Sequence, residues 1–115
     1  MPRVKRGTIS LKRRRNVLRK VKGYRFGRSK KESAAREAIA HAGSYAFAHR
    51  RDKKNDFRRI WQVNIGTALG NYGISYSKFM GQMKKKGIIL NRKMMSELAQ
   101  THPETFTRIV SSIKN

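Results

Sequence analysis

The chain has no cysteine, only two prolines, six acidic residues and no long apolar run. Without cysteine there is no disulfide framework, no thiolate metal site and no cysteine nucleophile, as suits a reducing compartment. No stretch approaches the roughly 18 apolar residues that a spanning helix needs, which argues against membrane insertion. The N-terminus lacks the apolar core of a secretory signal. It is Arg-rich and acid-poor, as organellar transit peptides are, but it has neither their amphipathic stripe nor their many serines. Alternating strand patterns are missing, so nothing competes with helix. Catalysis has little to draw on. The carboxylates include no pair at a spacing suited to acid/base work, and neither a Cys–His nor a G-x-S-x-G arrangement occurs.

What is abundant is positive charge: 29 Lys and Arg, for a formal net charge of +23 over 115 residues. A free globule with that charge repels itself, so the compact state calls for a polyanion, whether RNA, DNA or an acidic membrane surface. The charge is uneven. Residues 1–59 hold 21 basic and 4 acidic side chains, whereas residues 60–115 hold 8 and 2. Met1 to Lys31 has 14 basic residues and no acid, the first carboxylate being Glu32. A block of this kind is normally disordered in free solution. Its large apolar residues (Val4, Ile9, Leu11, Val17, Leu18, Val21, Tyr24, Phe26) are too sparse for a core.

Ser29 and Glu32 form S-x-x-E, a capping box that starts a helix near residue 30. The helical pattern runs to about Tyr72, roughly 65 Å at 1.5 Å per residue, with a bend expected near Gly43 or the Arg50–Lys54 cluster. Strong periodicity begins only at Phe57, followed by Ile60, Trp61, Ile65, Ala68, Leu69 and Tyr72 on one face. Ser75 is placed to cap the next helix, with Ile74 and Phe79 as its staple and Tyr76, Phe79, Met80 and Met83 inward. Lys84, Lys85 and Lys86 suit its C-terminal dipole, and Gly87 closes it. Asn91 caps a third helix with Leu90 and Met95 as staple and Met94, Leu98 and Ala99 inward. Pro103 opens a fourth, carrying Phe106, Ile109, Val110 and Ile113. The expected fold is all-α: a long basic helical N-terminal extension, residues 1–56, then a small helical globular domain, residues 57–115.

Gly66, Gly70 and Gly73 are not a nucleotide loop, since no strand precedes them and no Gly-Lys-Ser/Thr follows. They read as close backbone packing and a C-terminal turn. His41 and His49 are eight residues apart, about 12 Å by helical rise, too far to share a metal without other ligands. They read as surface histidines of an RNA-facing helix. No metal, cofactor or small-molecule substrate is expected.

The residues left to carry function are the basic ones: Arg3, Lys5, Arg6, Lys12, Arg13, Arg14, Arg15, Arg19, Lys20, Lys22, Arg25, Arg28, Lys30, Arg50, Arg51, Lys53 and Lys54. Such side chains displace condensed counterions from phosphates, which drives binding without reading sequence. Tyr24, Phe26, Tyr45 and Phe47 are interleaved with them and suited to stacking on unpaired bases. Gly23 and Gly27 give the arm hinges for threading between RNA helices. DNA is the competing partner. A basic zipper needs leucine heptads, which are missing, and a helix-turn-helix within residues 57–100 leaves the arm unexplained.

Several motifs carry a resemblance. Phe57-Arg58-Arg59-Ile60-Trp61, Gly73-Ile74-Ser75-Tyr76-Ser77-Lys78-Phe79 and Leu90-Asn91-Arg92-Lys93 resemble the bacterial-type large-subunit ribosomal protein numbered twenty. The opening Met1-Pro-Arg-Val-Lys-Arg-Gly7, then Lys22-Gly-Tyr-Arg25, and Arg50-Arg51 through Asp56-Phe57-Arg58-Arg59, follow the same family in order. The resemblance implies a helical arm buried in 23S ribosomal RNA, a helical domain holding the same RNA, and a role in early assembly of the large subunit. It implies neighbouring large-subunit proteins as partners and a place in a cytoplasmic ribosome, an organellar one being the alternative. In some bacteria such proteins also repress their own messenger RNA. The match at Arg58, Arg59, Ser75, Tyr76, Ser77, Asn91, Arg92 and Lys93 implies RNA contact there, while Phe57, Trp61 and Phe79 are assigned to the core. The chain departs from the family pattern at Asn64, Gly66 and Gly70, and it is less basic over residues 31–43; no role is carried to those positions.

Overall fold

A computed structural model describes residues 1–115, all helix and turn, with no strand. The chain divides into two compact units, Met1–Arg51 and Asp52–Asn115.

The first unit contains helix α1 (Arg6–Lys20), a 3-10 turn at Phe26–Ser29 and the first part of helix α2 (Glu32–Gly70). No acid sits in the first turn of α1, while Arg19 and Lys20 suit the dipole at its end. No residue within α1 is buried. Only Val21, just after it, and Ala35 are fully enclosed in this unit. The Arg14 guanidinium donates to the Lys30 carbonyl at 3.1 Å, tying α1 to the turn that precedes α2. Gly23 takes φ +90° and Phe26 takes φ 54°, a left-handed conformation that is sterically costly for an aromatic residue.

The expected capping box is not formed. Ser29 lies in the 3-10 turn and its hydroxyl donates to the Phe26 carbonyl at 3.1 Å. Glu32 is the first residue of α2 and meets Arg36 at 2.5 Å, so its carboxylate is spent on the i+4 side chain. α2 is one element of 39 residues, passing Gly43 and the Arg50–Lys54 cluster without interruption.

In the second unit the remainder of α2 is followed by α3 (Tyr76–Lys85), α4 (Arg92–Thr101) and α5 (Pro103–Lys114). Ile65, Leu69, Phe79, Met83, Met95, Phe106, Val110 and Ile113 form one core. The Phe79 and Phe106 rings meet at 6.0 Å with a 41° tilt, a geometry aromatic pairs favour. The joints are cut by local chemistry. After α3, Gly87 takes φ +69° so that its own N–H reaches the Lys84 carbonyl and the Ile88 N–H reaches Met83, satisfying two otherwise orphaned acceptors. Asn91 caps α4, its side-chain oxygen accepting from the Met94 N–H at 2.8 Å. Pro103 stands at the start of α5, where its missing N–H costs nothing. The buried Ser96 hydroxyl accepts from the Asn64 amide at 3.1 Å, and no buried polar side-chain atom lacks a partner.

Several side chains sit elsewhere than their periodicity predicts. Phe57 is 46% exposed and Ile60 is 52% exposed, and Trp61 is half-buried outside the core cluster. The face begun by Phe57 therefore meets partner helices only from Ile65 onward. Met94 is exposed rather than inward, because α4 turns Met95, Leu98 and Ala99 to the core. Gly66 and Gly70 are not close-packing positions, since a Cβ added at either meets nothing within 4 Å. Ser75 precedes α3 in an extended conformation but makes no side-chain cap; its hydroxyl lies 3.4 Å from that of Ser77.

Candidate nucleic-acid interface

In the Met1–Arg51 unit the basic candidates are all solvent-facing: Arg3, Lys5, Arg6, Lys12, Arg13, Arg14, Arg15, Arg19, Lys20, Lys22, Arg25, Arg28, Lys30, Arg50 and Arg51. The α1 residues among them are carried by a helix with no fully buried side chain, and of these Arg14 is hydrogen-bonded within the protein, to the Lys30 carbonyl. Carboxylates are scarce: the unit's close carboxylate pairings are Arg36 with Glu32, and His41 Nε2 at 3.6 Å from Glu37. Arg14, Lys31 and Arg36 line one open cleft together with Glu32 and Ser33. Lys31 and Arg36 are not among the sequence-derived candidates, since both fall within residues 31–43, to which no role is carried. Their grouping with Arg14 depends on the turn at Phe26–Ser29. The Arg50 Nε donates to the Ala46 carbonyl at 3.1 Å, which fixes the side chain along its helix.

The aromatics of this unit are also exposed: Tyr24 at 38%, Phe26 at 90%, Tyr45 at 58% and Phe47 at 77%. His41, Tyr45 and His49 stack along α2, with centroids 6.1 and 5.8 Å apart and planes within 23° and 10°. The i, i+4, i+8 spacing that lines them up is present in the sequence, and the two histidines are surface residues as their spacing predicts.

In the Asp52–Asn115 unit, Lys53 and Lys54 lie on α2, with the Lys53 ammonium 6.0 Å over the Phe57 ring. Arg58 and Arg59 are exposed, Arg59 being 3.9 Å from Asp56. Phe57 and Trp61 pair at 6.3 Å, forming an aromatic step beside these arginines. Ser75, Ser77, Lys78, Asn91 and Lys93 are exposed at the starts of α3 and α4. Tyr76 and Arg92 are half-buried, and the Arg92 Nε donates to the Tyr76 hydroxyl at 2.8 Å. This bond orients the guanidinium while leaving its other N–H groups free. Asn91 combines two parts, since its side chain is already engaged as the cap.

No three His, Cys, Asp or Glu side chains converge as a metal site would require. No helix is long and apolar enough to cross a membrane. The exposed basic and aromatic side chains offer charge neutralisation and stacking.

The chain is similar to known proteins over almost its whole length. The family model described as ribosomal protein L20 matches residues 3–109. The large ribosomal subunit protein bL20 of Acaryochloris marina is 46% identical over 110 residues, covering 96% of this chain and 95% of its own. That of Leptospira biflexa is 46% identical over 114 residues, covering 99% and 97%. That of a Roseiflexus species is 43% identical over 114 residues, again covering 99% and 97%.

Proposed function

The chain belongs to the ribosomal protein L20 family, and on that premise we propose that it is a structural constituent of the large ribosomal subunit which binds 23S ribosomal RNA directly and supports early assembly. Its role is structural rather than catalytic. The observation that carries the reading is the pairing of a charge of +23 with a first unit whose basic side chains face solvent. Each phosphate contact releases counterions, and this term supplies most of the affinity. The chemistry favours a division of labour. Residues 1–56 form an arm that RNA orders, neutralisation and folding occurring together, while residues 57–115 form a docking module that folds beforehand. The arm contributes Arg3, Lys5, Arg6, Lys12, Arg13, Arg14, Arg15, Arg19, Lys20, Lys22, Tyr24, Arg25, Arg28, Lys30, Arg50, Arg51, Lys53 and Lys54. The module contributes Arg58, Arg59, Ser75, Tyr76, Ser77, Lys78, Asn91, Arg92 and Lys93. Neighbouring large-subunit proteins are its expected protein partners, with its own messenger RNA as a further RNA target.

Filter binding over a salt series tests this. Structured ribosomal RNA should be bound more tightly than duplex DNA of equal length at matched salt, with steep salt dependence for both. Equal affinities at roughly 0.2 M salt would instead favour a nucleoid-type DNA binder.

A further inference from the structure

In a chain of charge +23, residues 38–49 contain no Lys, Arg, Asp or Glu. They form the middle of α2's first part and offer alanines, Gly43, Ser44 and four rings. Ala38 and Ile39 at the start of this stretch are partly buried, and residues 40–49 are all exposed. Arg36 and Glu37 precede it, Glu37 lying 3.6 Å from His41 Nε2, and Arg50 and Arg51 follow it. Phosphate contacts can be made at its ends but not along its length.

Along that length, His41, Tyr45 and His49 stand at successive i+4 positions with near-parallel rings, 6.1 and 5.8 Å apart, tilted by only 23° and 10°. Phe47 lies two residues from Tyr45, where side chains do not face each other, so it does not join the row. Rings held parallel by one helix have already given up much of their rotamer freedom, and a planar partner that lies on one is aligned with the next. An exposed row of aligned rings with arginines beyond each end matches a nucleic-acid strand whose phosphates sit at the ends and whose bases are splayed out between them.

We propose that the His41–Tyr45–His49 row is a stacking platform for unpaired bases of RNA, distinct from the phosphate-binding surface formed by the lysines and arginines. The inference rests on the RNA-binding reading above and adds to it where the chain touches bases rather than backbone. It selects single-stranded segments, because bases inside a duplex are stacked on one another and present no free face.

The test uses the full chain and two probes at matched salt: a uridine oligomer of about twenty nucleotides and a blunt RNA duplex of the same length. The variant carries His41→Ala, Tyr45→Ala and His49→Ala, all exposed positions within a helix where alanine is well tolerated. Its affinity for the single strand should fall about ten- to hundredfold, with duplex affinity changed by no more than about twofold. Restoring a phenyl ring, as Tyr45→Phe in an otherwise unaltered chain, should keep single-strand affinity near that of the parent protein. Equal losses on both probes, or no loss on the single strand, would overturn the platform while leaving RNA binding intact. Failure of the parent protein to bind these probes and structured ribosomal RNA alike would overturn both readings, whereas binding of the ribosomal RNA alone would overturn only the platform.

Discussion

Helix fills both units of this chain, yet only one of them encloses a core. The Asp52–Asn115 unit buries Ile65, Leu69, Phe79, Met83, Met95, Phe106, Val110 and Ile113 against one another. The Met1–Arg51 unit fully buries Val21 and Ala35 and leaves Val4, Ile9, Leu11, Phe26, Tyr45 and Phe47 exposed. Helical backbone satisfies its own hydrogen bonds wherever it forms, but isolated helices are marginal in water and draw their stability from tertiary packing. The two halves therefore show the same secondary structure, with apolar contact ordering one; for the other, the proposed source of order is the RNA it binds.

The comparison can be broken most directly at the core. Phe106→Ala should cost about 3–5 kcal/mol, enough to unfold so small a domain, and thermal denaturation followed by circular dichroism should show the cooperative transition lost or strongly lowered. Separating residues 1–56 from 57–115 sharpens it. The second piece should melt cooperatively and the first should be weakly helical until RNA is added; a fully helical, cooperatively melting first piece would contradict the division. Within the domain the joints matter less than the core. Asn91→Ala should cost about 1 kcal/mol by removing the bond to the Met94 N–H. Trp61→Ala should cost about 1 kcal/mol or less, since the indole lies outside the buried cluster; a loss comparable with that of Phe106→Ala would mean that it packs more deeply. Smallest of all, Arg14→Ala should hardly change folding and should lower the salt-dependence slope of RNA binding by about one.

The expected Trp61 effect shows where sequence periodicity stops being informative. Phe57, Ile60 and Trp61 continue the same helical face as Ile65 and Leu69, so a one-dimensional pattern cannot tell them apart. What separates them is where α3, α4 and α5 lie, which is tertiary information. Met94 and Met95 present the same difficulty, as adjacent residues of equal hydropathy with opposite fates. The Asn91 cap and the turns at Gly73 and Gly87 were legible because each depends on a few consecutive residues. Ser29 and Glu32 satisfied the capping pattern but are used otherwise, because the chain inserts a 3-10 turn where the pattern assumes a direct entry. The charged surface was legible from composition alone, since side chains with no partner in sequence or core have only solvent or a polyanion to face. The grouping of Lys31 and Arg36 with Arg14 in one cleft depends on that same turn and is not visible in the sequence pattern.

The uncharged stretch at residues 38–49 has a consequence for how the protein would let go of its partner. Contacts made through ring faces release no counterions, so raising ionic strength does not weaken them as it weakens contacts to phosphate. As salt rises, the flanking arginines and the basic first helix should disengage before the middle of α2 does. Dissociation would then proceed from the charged ends inward, with the electrically silent segment as the last hold.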